Sequence, residues 1–160
     1  MLIRAVTIDD TQTWLNLSHE WDEIVSNLIS DISVFYEGFD DYMTDKIRQN
    51  EAFMATDKIS GQCLGIVAFS RRTNRITFLG ISRNADYQVI GLELIEVALN
   101  QLDSTREISA SVFKSDLAPV KQERSLYESC GFIEYDNTIL EAGIPACVMK
   151  KPLSEWRKGF

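Results

Sequence analysis

The chain has 160 residues, 45% of them hydrophobic and 25% charged, and a formal net charge of −8. That length predicts one domain over residues 1–160, with a core that needs neither disulfide nor metal, and no apolar run approaches the roughly 18 residues of a membrane span. The negative charge excludes a general binder of nucleic acid or anionic membrane, since either needs a positive surface field, and leaves room for a cationic substrate such as an amine.

Cys63, Cys130 and Cys147 show no Cys-x-x-Cys spacing and share the chain with a single histidine, His19, so no zinc pattern forms. They read as reduced, mostly buried thiols of a cytoplasmic protein. The opening residues 1–7 are too short and too polar-flanked for a signal peptide and read as a first strand. Asp9 or Asp10 then caps a helix carrying Trp14, Leu15, Leu17, Trp21, Ile24, Val25 and Leu28. His19 interrupts its stripe and reads as a surface side chain, because nothing near it in sequence would orient a catalytic base.

Residues 27–50 mix aromatic side chains (Phe35, Tyr36, Phe39, Tyr42) with acidic ones (Asp31, Glu37, Asp40, Asp41, Asp45). They predict a loop or helical turn followed by a second helix over roughly 39–49. Two accounts fit that mixture: a pocket for a cationic group, or core aromatics beside a solvated acidic face. Strands are predicted over 52–56, 62–70 and 75–82, joined by turns at 57–61, where Gly61 supplies positive φ, and at 71–74. Two hairpins in succession make an antiparallel meander.

Residues 89–102 form the stretch that the rest must cover. Apolar side chains at 92, 95, 99 and 102 make a helical stripe, and those at 90, 94, 97 and 98 widen it around most of the circumference. A polar turn over 82–88 links this helix to the preceding strand, so its first N–H groups point outward unpaired, in the usual geometry for holding an anion. Beyond it come a strand over 107–113, a helix over 120–129 with Pro119 at its start, a strand over 132–136, a turn at Gly143-Ile144-Pro145 and a strand over 146–150. The order is β-α-α-β-β-β-α-β-α-β-β in a layered α/β domain.

Three segments, Phe78-Leu79-Gly80-Ile81, Gly91-Leu92-Glu93-Leu94-Ile95 and Ser125-Leu126-Tyr127-Glu128-Ser129-Cys130-Gly131-Phe132, together with the element order, resemble the GNAT superfamily, the GCN5-related N-acetyltransferases, and the resemblance runs nearly end to end. Ser125-Leu126-Tyr127-Glu128-Ser129-Cys130-Gly131-Phe132 looks like the family's Leu-Tyr-x-x-x-Gly-Phe segment at the end of its last helix, with Gly131 suited to a left-handed helix stop. Phe78-Leu79-Gly80-Ile81 agrees with the strand that enters the central helix. Gly91-Leu92-Glu93-Leu94-Ile95 agrees with the last glycine and leucines of the family's Arg/Gln-x-x-Gly-x-Gly/Ala turn. That alignment sets Asp86 at the Arg or Gln and Val89 at the first glycine, so the turn is degenerate. Many members also carry an Asn before the tyrosine, which Ser115 or Asp116 replaces here.

The resemblance implies a GNAT-like, mixed and mostly antiparallel sheet with helices on both faces. It also implies acetyl-CoA as cosubstrate, no metal, and direct attack of an amine on the thioester without an acyl-enzyme. The cofactor would meet Gly80 and Ile81 on the strand and Asp86, Tyr87, Gln88, Val89, Ile90, Gly91 and Leu92 at the helix mouth. Backbone N–H groups near Gly80 and Ile81 would polarise the carbonyl, and Tyr127, with an ordinary pKa near 10, would protonate the leaving thiolate. Glu37, Asp40 or Asp41 are positional candidates for the base, and Arg83, Lys121 and Arg124 for positive charge near the phosphates. The acceptor is expected to be a small-molecule amine, with neither nucleic acid nor membrane as partner.

Val89 and Asp86 also support an alternative, a non-catalytic binding or regulatory module of the same fold, because a branched side chain and a capping carboxylate both compete with a phosphate. Trp156 and Phe160 in the tail suggest a third possibility, a homodimer or scaffold surface.

Overall fold

The computed structural model describes residues 1–21, 26, 32–114, 118–141 and 144–153, with the backbone alone at 32–37, 118, 119, 141 and 144. Its strands are β1 (Leu2–Ala5), β2 (Ala52–Thr56), β3 (Cys63–Ser70), β4 (Arg75–Ile81), β5 (Ile108–Phe113), β6 (Ile133–Glu141) and β7 (Ile144–Lys151). Its helices are α1 (Thr11–Ser18), α2 (Ile32–Arg48), α3 (Tyr87–Gln101) and α4 (Ala118–Ser129). The strands form one sheet in the order β1-β2-β3-β4-β5-β7-β6, in which β4 and β5 are the parallel pair and every other pair is antiparallel. The element order and the mixed α/β class are those the sequence predicts.

The central strand explains the layering. Six of the eight residues of β3 are buried, as expected where both faces of a strand are covered. One face carries a cluster that includes Leu79, Ile81, Leu94, Ile95, Leu126 and Tyr127, under α3 and α4. The other carries Trp14, Leu17, Phe39, Met43 and Ile66, under α1 and α2. The apolar girdle of α3 is therefore explained, with Ile90, Leu94, Ile95 and Ala98 all buried. Left-handed turns fall where short or missing side chains tolerate them: Asn50 (φ 56), Gly61 (φ 73), Asn74 (φ 54) and Gly131 (φ 92).

Several expected boundaries shift. The first helix stops at Ser18 and continues as a single 3-10 turn, His19–Trp21, where a longer helix was predicted. Ile24, Val25 and Leu28 lie outside the described residues. Asp10 occupies the N-cap position of α1, yet its carboxylate turns back to Arg4 (2.8 Å to each of two guanidinium nitrogens) and to the Thr7 N–H (2.7 Å). The second helix begins at Ile32, well before the expected start at 39. β6 and β7 are longer than predicted, and Ile144 and Pro145, read as turn residues, pair with Glu141 and Leu140. Pro145 is tolerated there because its carbonyl accepts from the Lys114 N–H (2.9 Å), so the side of its backbone that lacks a donor faces the end of β5 and no bond to β6 is lost.

Candidate functional site

A gap between the two parallel strands organises the site. β4 and β5 pair only near their starts, Arg75 with Ser109 and Ile76 with Ala110. The register of β3 against β4 explains why they part. Ala68 faces Phe78 and Phe69 faces Ile76, which leaves Thr77 as an extra residue immediately above the last β4–β5 pair. An extra residue bends and twists a strand, and here the bend carries β4 away from β5. Below the bulge the strands are clamped by Asn74. Its amide donates to the Asp103 and Glu107 carbonyls (3.0 Å each) and accepts from the Asp103 N–H (2.8 Å), tying the β3–β4 turn to the segment that leads into β5.

The backbone donors along the gap follow from alternation. Ser82 N–H bonds back to Leu64 on the β3 side (2.9 Å), so Gly80 N–H points that way too, and Ile81 N–H turns toward the opening. Gly80 has a different reason to be glycine. A Cβ there would lie 2.2 Å from the Trp21 ring, which rests on this backbone and donates its indole N–H to the Ile81 carbonyl (3.4 Å). Trp21 also contacts Phe39 and Phe78, and Phe39 stacks on Tyr42, so an aromatic wall closes the α2 side of the gap. The Tyr42 hydroxyl is hydrogen-bonded to Thr77, the bulged residue.

On the other side of the sheet the gap meets the mouth of α3. Asp86 is the N-cap, and its carboxylate accepts from the Val89 N–H at 3.1 Å. The first-turn donors left for a ligand are thus Tyr87 N–H and Gln88 N–H. Val89 is 51% exposed, so its branched side chain stands at the surface of the turn. Ile90 and Gly91 are buried, and Leu92 packs against the core at the helix side. Gly91 faces α4: a Cβ there would lie 2.3 Å from the Leu126 side chain, so the missing side chain lets the two helices approach.

Of the cations expected near the phosphates, Arg83 and Arg124 are engaged by other groups. Arg83 donates to the Glu20 carbonyl, and Glu20 in turn accepts from the Ser82 hydroxyl (3.0 Å) and the Arg83 N–H (3.1 Å), pinning the turn before α3 to the 3-10 turn at 19–21. Arg124 is held by Glu128 (3.0 Å) and Glu134 (3.1 Å), and Lys121 is exposed.

Tyr127 packs in the core cluster that also holds Leu79 and Ile81 of β4. It is 1% exposed, with its ring edge-on to Phe132 at 5.2 Å, and burial, then the nearby Glu123 carboxyl, raise its pKa well above the ordinary value. It is therefore a neutral proton donor at physiological pH.

Asp40 and Asp41 are exposed on α2, and the side chain of Glu37 lies outside the described residues, as do Ser115 and Asp116. His19 is exposed. Cys63 and Cys147 are buried and Cys130 half-buried, all three free, and burial pushes the Cys63 thiol up to about 11. Trp156 and Phe160 lie outside the described residues. An open cleft lined by Tyr42, Asp45, Lys46, Gln49, Glu51, Ser70 and Arg72 lies beside the C-terminal half of α2. Among the described residues no helix is long and apolar enough to cross a membrane. Sequence reasoning missed Trp21 and Thr77, whose positions depend on partners far along the chain, and Glu123, which its one-turn spacing from Tyr127 could have flagged.

Comparison with known proteins agrees with this fold. The chain superposes on the coenzyme A complex of the PaiA N-acetyltransferase from Thermoplasma acidophilum with a TM-score of 0.73 at 16% identity, over 94% of this chain and 97% of that one. A GNAT-family acetyltransferase from Bacillus cereus gives 0.63 at 12% identity, over 95% and 96%. Ribosomal-protein-alanine N-acetyltransferase from Brucella melitensis gives 0.60 at 18% identity, over 96% and 100%. No curated protein matches the chain in sequence. The family model described as the acetyltransferase (GNAT) domain matches residues 22–153, and the chain belongs to that family.

Proposed function

We propose that this protein is an acetyl-CoA-dependent N-acetyltransferase that acts on the amine of a small molecule. The observation that carries the reading is the parting of β4 from β5 beyond Ile76, with the Ile81 N–H turned to the opening, the capped mouth of α3 following β4, and Tyr127 buried in the same core cluster as Leu79 and Ile81. Acetyl-CoA supplies an acetyl group already activated as a thioester, so no covalent enzyme nucleophile is required.

The chain's own groups then have defined tasks. Tyr87 and Gln88 N–H hold the diphosphate at the positive end of α3, where backbone donors and the helix dipole act together. Val89 N–H joins them once the Asp86 carboxylate swings aside. Ile81 N–H faces the thioester carbonyl and stabilises the charge that develops on its oxygen. The Tyr127 hydroxyl delivers a proton to the departing sulfur, and the aromatic wall of Trp21, Phe39, Tyr42 and Phe78 suits the organic part or the cation of an approaching amine. The test is release of free thiol from acetyl-CoA in the presence of a panel of small primary amines. Amine-dependent release supports the reading, and its absence across the panel, with acetyl-CoA bound, refutes it.

The alternative, a GNAT-fold module without productive cofactor binding, draws on one observation: the Asp86 carboxylate already occupies a donor that a phosphate would use. Absence of acetyl-CoA binding at millimolar concentration would favour it.

A further inference from the structure

We propose that Glu123 contacts the pantetheine arm of the cosubstrate as a neutral carboxyl, donating a hydrogen bond to an amide carbonyl of the arm, so that binding takes up a proton from solvent. This rests on the acetyl-CoA reading above and extends it to a residue no family motif assigned.

The placement comes from how α3 and α4 pack. Both helices follow strands that run parallel, β4 and β5, and so return in the same sense, in contact where Leu126 meets Gly91. One turn back from Gly91 on α3 is Tyr87, at the mouth. One turn back from Leu126 and Tyr127 on α4 is Glu123. Glu123 therefore stands between the helix mouth and the buried phenol, and a charge on it is felt at both Tyr87 and Tyr127. The diphosphate lies at the first of these positions and the sulfur at the second, so the arm that joins them must run past Glu123.

Glu123 is half-buried, and among the described residues it has no hydrogen-bond or ion-pair partner. The titratable groups facing it are the Tyr87 phenol of α3 and the Tyr127 phenol of α4, with Cys130 beyond Tyr127, and burial raises all three, so none titrates at neutral pH. The arginines of the surrounding elements are engaged by other groups, and the lysines are exposed. Arg124 is held by Glu128 and Glu134, Arg83 by Glu20, Arg75 donates to Ser111, and Lys114 and Lys121 are exposed. Burial alone pushes the Glu123 carboxyl up to about 8. Covering it with the arm removes its remaining water, which penalises the carboxylate further, whereas the protonated form can donate to the arm.

The experiment is calorimetric titration of the full chain with acetyl-CoA at pH 7.5, 8.5 and 9.5, each in two buffers of different ionisation enthalpy. Wild type is expected to take up a small fraction of a proton at pH 7.5, rising toward one per site by pH 9.5. Its affinity is expected to weaken roughly tenfold per pH unit above about 8. Glu123→Gln, which keeps shape and a donor, is expected to bind without proton uptake and, at pH 9.5, at least about tenfold more tightly than wild type. A wild type whose affinity and proton count stay constant over this range, or a Glu123→Gln protein with the wild-type profile, overturns the inference while leaving the acetyl-CoA reading intact. No binding by either protein at any pH overturns both.

Discussion

Asp86 caps α3 with an oxygen that holds the Val89 N–H, the same donor a diphosphate would use, so its removal should weaken the fold and strengthen cofactor binding together. Asp86→Asn keeps an oxygen for the cap and removes the charge. At a phosphate about 4 Å away in water-like surroundings that charge repels by about 1 kcal/mol, so the Asn variant is expected to bind acetyl-CoA about fivefold more tightly with unchanged stability. Asp86→Ala removes cap and charge alike. Loss of an N-cap costs about 1 kcal/mol of stability. The freed N–H adds a hydrogen bond to an anion, worth about 1.5–3 kcal/mol when fully made, so affinity is expected to rise about tenfold or more.

Calorimetric titration gives the affinities and urea unfolding the stabilities. Raising salt from 0.05 to about 0.5 M should shrink the gain of Asp86→Asn, because the repulsion it relieves is solvent-exposed and screened. An Asn variant that binds like wild type, together with an Ala variant that binds more weakly, would refute the reasoning, since the diphosphate would then lie away from the mouth of α3.

Tyr127→Phe keeps the ring against Phe132 and removes the proton donor. It is expected to lower kcat by about 100-fold with the Kd for acetyl-CoA changed less than about threefold, and activity within twofold of wild type would remove the acid role. The Asp10 carboxyl is held at about 2, below its ordinary 3.8, first by hydrogen bonds from Arg4. A lowered carboxyl stabilises the fold above its ordinary value, and that stabilisation is lost as pH falls from about 4 through about 2. Asp10→Asn is accordingly expected to cost about 2 kcal/mol at pH 7 in urea unfolding, with the difference from wild type closing toward pH 2. A difference independent of pH would show that the Arg4 pair contributes nothing through charge.

Much of the fold was legible because its signals are local. The apolar girdle of 89–102, the Gly61 and 71–74 turns and the Leu126-Tyr127 to Gly131-Phe132 helix stop each carry their own periodicity or backbone requirement. Asp86 as an N-cap was legible for the same reason. The early start of α2 was hidden because aromatic and acidic residues alternate there without a clean stripe, and the long β6–β7 hairpin because Gly143 and Pro145 look like turn residues until the position of Pro145 beside β5 is known. The candidate site was legible in its positions and less so in its reasons. Gly80 and Gly91 were picked out as places where a ligand could come close, yet the structure gives that space to Trp21 and to Leu126. The bulge at Thr77 depends on the register between two strands, and the meeting of Tyr87 with Glu123 depends on two helices packing side by side. No window along one element contains either fact.

The central claim is that main-chain amides of β4 and of the α3 mouth hold the cosubstrate. Titration of nitrogen-15-labelled protein with acetyl-CoA, read as amide chemical-shift changes, tests it most directly. The account predicts the largest changes at Ile81, Tyr87, Gln88 and Val89, saturating together. Saturable changes confined to other parts of the sheet, with those four amides unmoved, would contradict it.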